Sequence, residues 1–185
     1  MAERGRTLFD TPIGRCGIAW SDHGLRGISL PVSGGEAAAR ASLARRFPAY
    51  EDGAPPARVR AAIERIIAHL GGAPTIYSEA ELDLDGIGAW EASVYRAALA
   101  IPYGETRTYG ALAAIVGNPT GAQAVGQALG RNPWPIVIPC HRILAADGRT
   151  GGFSAPGGAV TKLRLLEIEG ALAPASLPLF GGSTA

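Results

Sequence analysis

Apolar and polar positions change rhythm several times along the chain. Two short runs near the start, "IGRCGIAW" (13–20) and "LRGISL" (25–30), are strand-like and are separated by the turn-forming "SDHG", which predicts a β-hairpin. "GGEAAARASLARRF" and "PPARVRAAIERIIAHL" then shift to helical spacing. In the second, Val59, Ile63, Ile66, Ile67 and Leu70 share a face, and Pro55 and Pro56 suit the first turn. His69 falls near that helix's end, where a histidine complements the dipole, and reads as an end-of-helix residue, not a ligand. "GGAPTIYSEAELDLDGIG" breaks every pattern and marks a domain boundary. "AWEASVYRAALAI" opens a second, helical region that "PYGE" closes with turn chemistry. The expected division is an N-terminal α/β domain over 1–85, a mostly helical domain over 86–175, and an apolar, Gly-rich tail over 176–185.

Within the second domain, "TYGALAAIVGNPTGAQAVGQALGR" (108–131) carries two apolar stripes. Thr108 suits an N-cap, and Leu112, Ile115 and Val116 form the first stripe at helical spacing. Gly117 stops that helix, "NPT" turns the chain, and Ala122, Val125 and Leu129 form the second stripe. The pattern fits a helix-turn-helix and equally an ordinary helical hairpin. The second helix's outer face is nearly bald: Gly121, Gln123, Ala124, Gly126, Gln127 and Gly130, with Arg131 its only charge. A helix reading base edges in the major groove would carry more Arg, Asn, Gln or Lys. Small residues suit either close approach to a minor groove, whose base code is degenerate, or packing against another helix.

Composition narrows the field. Hydrophobic residues make up 47% and charged residues 18%, as in a globular protein with a core, and the net charge of +1 gives no overall pull toward nucleic acid. No apolar run approaches the roughly 18 residues of a membrane span, and the start "MAERGRTLFD" lacks a signal-type stretch. A cytoplasmic protein with no membrane association is therefore expected. Its two cysteines cannot build a disulfide framework and have no metal-ligand spacing, so no metal is expected. Cys16, inside the first strand, reads as a small buried hydrophobe.

Cys140 is different. It ends the apolar run Ile136–Val137–Ile138, which is bracketed by Pro135 and Pro139, and His141 and Arg142 follow it. Either neighbour could favour the reactive thiolate. In a true strand His141 would point to the opposite face, so pairing with Cys140 needs a bend or a bridging water. A structural cysteine remains the other reading at this point. Glu169 ends the last helix just before Gly170, where the dipole disfavours a carboxylate unless something else holds it.

Taken together, "IPYGETRTYGALA", "GNPTGAQAVGQALGRNPWPI" and "IPCHRIL" resemble the O6-alkylguanine-DNA alkyltransferases (methylated-DNA–protein-cysteine methyltransferases), whose active-site signature is Pro-Cys-His-Arg. The resemblance spans about residues 82–170 and is weak before that. It implies an α/β fold, with a small ribonuclease-H-like N-terminal domain and a mostly helical C-terminal domain containing a helix-turn-helix. It also implies DNA repair by direct reversal, with no organic cofactor. A damaged guanine is flipped out of the duplex, and its O6-alkyl group passes irreversibly to the cysteine. By matching position Cys140 is the acceptor, His141 a base acting through a water, and Glu169 its orienting partner. Tyr109 donates to the base and crowds the flipped nucleotide's phosphate. Asn132 is a structural hinge, Pro135 lines the alkyl side, and the carbonyls of Cys140 and Ile143 accept from the guanine amino group. The main-chain N–H of Ser154 lies near O6, with Phe153 where a tyrosine is common. Gln123 and Arg131 contact DNA. The implied partner is double-stranded DNA containing O6-alkylguanine, bound by a monomer through the minor groove without sequence specificity.

Two positions depart from the family pattern. Gln123 replaces an arginine that fills the gap left by the flipped base, which predicts weaker DNA binding or slower flipping. Ala155 and Pro156 are added in the pocket loop "GGFSAPGG". Two rivals stand beside the repair reading: a module that binds alkylated DNA with little or no transfer, and a different cysteine chemistry, on a small molecule or as a redox sensor.

Overall fold

The computed structural model describes residues 4–150 and 154–172, so Phe153 and the tail over 176–185 lie outside the described residues. The expected hairpin is present as β2 (Gly14–Ser21) and β3 (Gly24–Ser29), antiparallel with a register shift at Ala19/Trp20. A further strand, β1 (Gly5–Thr11), pairs antiparallel with β2 from Gly5↔Trp20 to Thr11↔Gly14. Its sequence, "GRTLFDT", has no apolar alternation, so pairing and not pattern defines it. Helices α1 (Gly35–Arg46) and α2 (Ala57–Leu70) follow as the spacing predicts, with Pro56 at the N-cap of α2.

After an irregular stretch come α3 (Ala89–Leu99), α4 (Tyr109–Ile115) and α5 (Ala122–Gly130), and the described chain closes with α6 (Gly158–Ile168). Two dipeptides, β4 (Arg107–Thr108) and β5 (Ile143–Leu144), pair in parallel and bring the start of α4 beside the chain leaving Cys140. The Thr108 hydroxyl accepts from Ala111 N at 3.1 Å, capping α4 as expected. Gly117, at φ 78°, ends it, and the Asn118 N–H reaches back to Ala113 O at 2.9 Å. The first stripe is corrected in one place: Ile115 is 65% exposed, and Ala113 takes the buried position beside Leu112. Seven helical residues span about two turns, so Leu112 and Ala113 face inward while Ile115 turns out.

One apolar core runs through both halves, from Ile18, Trp20 and Ile28 through Ile66 to Val94, Val125, Trp134 and Ile143. Hydrogen bonds tie the halves as well. Trp134 Nε1 donates to Leu25 O at 2.6 Å, Ile28 N to Pro133 O at 2.8 Å, and Arg46 Nη2 to Pro133 O at 3.0 Å. Among the described residues no helix is long and apolar enough to cross a membrane.

Candidate active site

The run predicted to hold a reactive cysteine is not a strand. Ile136, fully buried, has φ 79°, in the left-handed region that a β-branched residue rarely adopts. Pro139, at φ −81° and ψ 63°, forms a tight turn in which Cys140 N donates to Ile138 O at 2.8 Å. Cys140–Arg142 then make one 3-10 turn, with Arg142 N donating to Pro139 O at 2.9 Å. About three residues per turn splay consecutive side chains by roughly 120°, so Cys140 and His141 leave in different directions without being opposed. Asn132 braces this path: its Oδ1 accepts from Trp134 N at 2.9 Å, and its Nδ2 lies 2.9 Å from Ile138 O and 3.4 Å from Cys140 Sγ.

Behind the turn lies a buried network centred on Glu169. Its Oε1 accepts from His141 Nε2 at 2.7 Å, His69 Nε2 at 2.8 Å and Arg142 Nη2 at 2.9 Å. Its Oε2 accepts from Arg142 Nε at 2.8 Å and Gly104 N at 3.4 Å. Gly104, at φ 78°, could not carry a side chain there, since a Cβ would sit 3.0 Å from Glu169 O. These donors answer why a carboxylate ends α6 against the dipole. Burial pushes its carboxyl up, but hydrogen bonds from His141, His69 and Arg142 outweigh burial and hold it well below the usual range. Arg142, one of the two neighbours that could favour the thiolate, is engaged elsewhere: its guanidinium is taken by Glu169 and by Ile101 O at 2.6 Å.

Burial dominates at the reacting groups. It pushes the Cys140 thiol up, opposed by the Asn132 hydrogen bond and the charge of Lys162, and it lowers His141 against the pull of Glu169. The resting pair is thus a thiol beside a neutral imidazole. His141 Nδ1 is buried with no partner among the described residues, which leaves its lone pair as the basic atom. Lys162, fully buried, donates to Ile143 O at 2.5 Å and lies 5.6 Å from the centre of the Tyr109 ring. Burial lowers it to about 8, against the Cys140 thiolate, which would raise it.

Cys140 opens onto two adjoining cavities. One, of about 550 Å³, is lined by Tyr109, Gln123, Gly126, Gln127, Cys140 and Ser154, within the size range of small-ligand sites. The other, of about 400 Å³, runs past Pro135 and Pro156 to Ser29 and Arg46 of the N-terminal half. The predicted residues Tyr109, Gln123, Cys140 and Ser154 therefore share one cavity, and Pro135 stands on the alternative side of the thiol. Arg131 lies at the surface, 3.3 Å from Glu91. Ile143 is buried, its carbonyl occupied by Lys162.

Two residues of this site escaped the sequence reading. Lys162 is the only lysine of the chain, a signal that was present and unused. His69 is a correction: although it ends α2, it is fully buried on Glu169, and no periodicity could bring residues 69 and 169 together. His69, His141 and Glu169 also place three ligand-type atoms within 4.8 Å of one another. Arg142 covers both carboxylate oxygens, so a cation there would meet a fixed positive charge, and the donor set fits a hydrogen-bonded ion pair better than a metal centre.

Comparison with known proteins bears on the same residues. A family model described as the DNA binding domain of 6-O-methylguanine DNA methyltransferase matches residues 89–171. A methylated-DNA–protein-cysteine methyltransferase of Mycobacterium bovis is 43% identical over 125 residues, covering 68% of this chain and 73% of that one. A protein of the same name from Methanothermobacter thermautotrophicus is 33% identical over 159 residues, covering 86% and 81%. Among solved structures, Mycobacterium tuberculosis OGT in complex with DNA superposes with a TM-score of 0.72 at 34% identity, covering 92% of this chain and 96% of that one.

Proposed function

The chain belongs to the methylated-DNA–protein-cysteine methyltransferase family, and we propose that it repairs O6-alkylguanine in DNA by moving the alkyl group onto Cys140, once per molecule. The observation that carries this is a thiol at the meeting of two cavities, backed by the buried His141–Glu169 pair. The Cys140 proton passes through a water to His141 Nδ1, and Glu169 stabilises the imidazolium that results. Sγ then forms a bond to the alkyl carbon as the carbon–O6 bond breaks, its electron pair leaving with the guanine. Tyr109, at the cavity wall, supplies a proton to the departing base, and the proton held on His141 returns through water to the phenolate, so both groups end neutral. Asn132 and Lys162 favour the thiolate as it forms. The thioether has no route to hydrolysis, so the molecule is consumed.

DNA is read through α4 and α5 as a helix-turn-helix, with α5 at the minor groove. Gly121 is buried against Asn118, but packing inside the fold does not account for Gly126 and Gly130 on the bald face of α5. A Cβ at Gly130 would meet nothing within 4 Å, and one at Gly126 would make only ordinary contact with Tyr109 at 3.7 Å. Glycine inside a helix costs about 1 kcal/mol, so close approach of a partner explains both positions better. Gln123, exposed on that face, fills the space left by the flipped base, and Arg131 meets phosphate. The protein acts as a monomer in the reducing cytoplasm, with residues 1–85 as a ribonuclease-H-like domain and 86–175 as the catalytic and DNA-binding domain.

Intact mass followed by peptide mapping, after incubation with a duplex holding one O6-methylguanine, tests the reading. The expected outcome is one added methylene on Cys140 and none on Cys16. Unmodified Cys140 in folded protein that still binds the lesion duplex would make it a binding module instead.

A further inference from the structure

The family mechanism uses one histidine; this molecule buries a second against the same carboxylate. Oε1 of Glu169 has two lone pairs and meets three N–H groups within 2.9 Å, from His141, His69 and Arg142. The ionised Glu169 only accepts, so the His69 Nε2 that faces it carries a proton, while His69 Nδ1 lies 3.3 Å from the Tyr77 hydroxyl. The ring is fixed by Tyr77, stacked at 5.8 Å, and by the edge of Tyr103 at 5.1 Å. We propose that His69 is a positioning residue for the transfer: by donating to the oxygen that also serves His141, it limits how much of the Glu169 charge His141 receives, and so sets the pH above which Cys140 reacts. This rests on the roles given to Cys140 and His141 above.

The charged and titratable groups around the pair are few. From α2 come His69 and Arg65, the latter 6.0 Å from the Tyr77 ring and paired with Glu81 at 2.7 Å. The segment after α2 adds Tyr77, and the turn before β4 adds Tyr103. The 3-10 turn supplies Cys140, His141 and Arg142, with the His141 ring 6.3 Å from that of His69, and α6 ends in Glu169. Arg142 is fixed on both oxygens whatever His69 does, so His69 is the adjustable competitor for Oε1. Removing its donor returns charge to His141 and makes that ring more basic.

The experiment follows single-turnover transfer from an O6-methylguanine duplex as a function of pH, together with the His141 ring titration by NMR. His69→Phe should raise the acid limb and the His141 midpoint by about half a pH unit, an extra loss of roughly threefold in rate below the limb. His69→Gln, whose amide places an N–H near the same oxygen, should keep both at wild-type positions. Tyr77→Phe should move them the same way by less, and carries the test if His69→Phe does not fold. A merely structural histidine would lower stability and leave both curves in place. Superimposed curves for wild type and His69→Phe, or a His69→Gln shift as large as that of His69→Phe, would overturn the proposal. Wild-type protein that never alkylates Cys140 counts against the repair reading instead, while the NMR midpoint still decides on His69.

Discussion

Two free thiols, Cys16 and Cys140, are both buried, and burial pushes both up, Cys16 to about 12. Cys16 sits within β2, fully enclosed, with the Thr11 hydroxyl at 3.8 Å. Its strand neighbours point to the opposite face, so no base can adjoin it through sequence alone. Cys140 is 9% exposed, lies on a turn that splays its neighbours, and has an amide donor, a buried ammonium and a neutral imidazole around it. Depth in the protein therefore does not separate a structural thiol from a nucleophile. What separates them is whether charge can be accommodated at the moment it forms, and here that capacity resides in groups contributed by α2, the segment after α5, α6 and the 3-10 turn. At rest burial favours the protonated form of the second thiol as it does of the first.

The sharpest way to break this contrast is to exchange the thiols' fates. Cys140→Ser should lower transfer by ~10³-fold or more, whereas Cys16→Ala should cost about 1 kcal/mol of stability and leave the rate within about twofold. Comparable rate losses at both sites, by mass-based kinetics, would erase the distinction. Next comes Glu169→Gln, which leaves the buried Arg142 uncompensated and should cost about 3–5 kcal/mol in denaturant unfolding. Because the folded-state value of Glu169 is depressed, its contribution is present above the ordinary carboxylate value of 4.5 and is lost as pH falls below it; the Gln variant should lack that acid-side loss.

Asn132→Ala should cost about 1–3 kcal/mol and slow transfer, since Trp134 N and Ile138 O lose their partner together with the thiol. Lys162 acts on the alkaline side, where its slope has the same sign. Lowered to about 8 from 10.5, it makes the unfolded chain hold more protons between those values, so stability contributed there rises with pH. Lys162→Met should flatten that rise in a pH series of melting temperatures. The smallest expected effect is at the rim: Gln123→Arg should tighten binding to lesion duplex several-fold and steepen the salt dependence by about one ion. Unchanged affinity would separate Gln123 from the DNA-facing surface.

Much of the framework was legible in the chain because it is local. The apolar spacing of α2, the Thr108 cap and the Gly117 stop each concern a few neighbouring residues. Cys140, His141, Glu169 and Tyr109 were legible through a motif, and the structure gathers them around one turn. β1 was not, because its side chains carry no alternation and only partner strands define it. Ile115 misled because a two-turn helix has too little length to establish a stripe. His69 was hidden for a third reason. A histidine at a helix end satisfies a local rule, and nothing nearby announces a carboxylate one hundred residues away.

The bonds from Trp134 to Leu25, Ile28 to Pro133 and Arg46 to Pro133 fasten the segment before Cys140 to the N-terminal sheet and α1. Their consequence is one of cooperativity. Opening the edge of the β2–β3 hairpin exposes the Trp134 indole and frees the backbone path that keeps Ile136 in its unfavourable conformation, so sheet and reactive turn open as one unit. Amide protons of Ile28 and of Ile138 should then exchange through a shared event, so the stability of a hairpin more than one hundred residues away in sequence limits how long the nucleophile keeps its reactive setting.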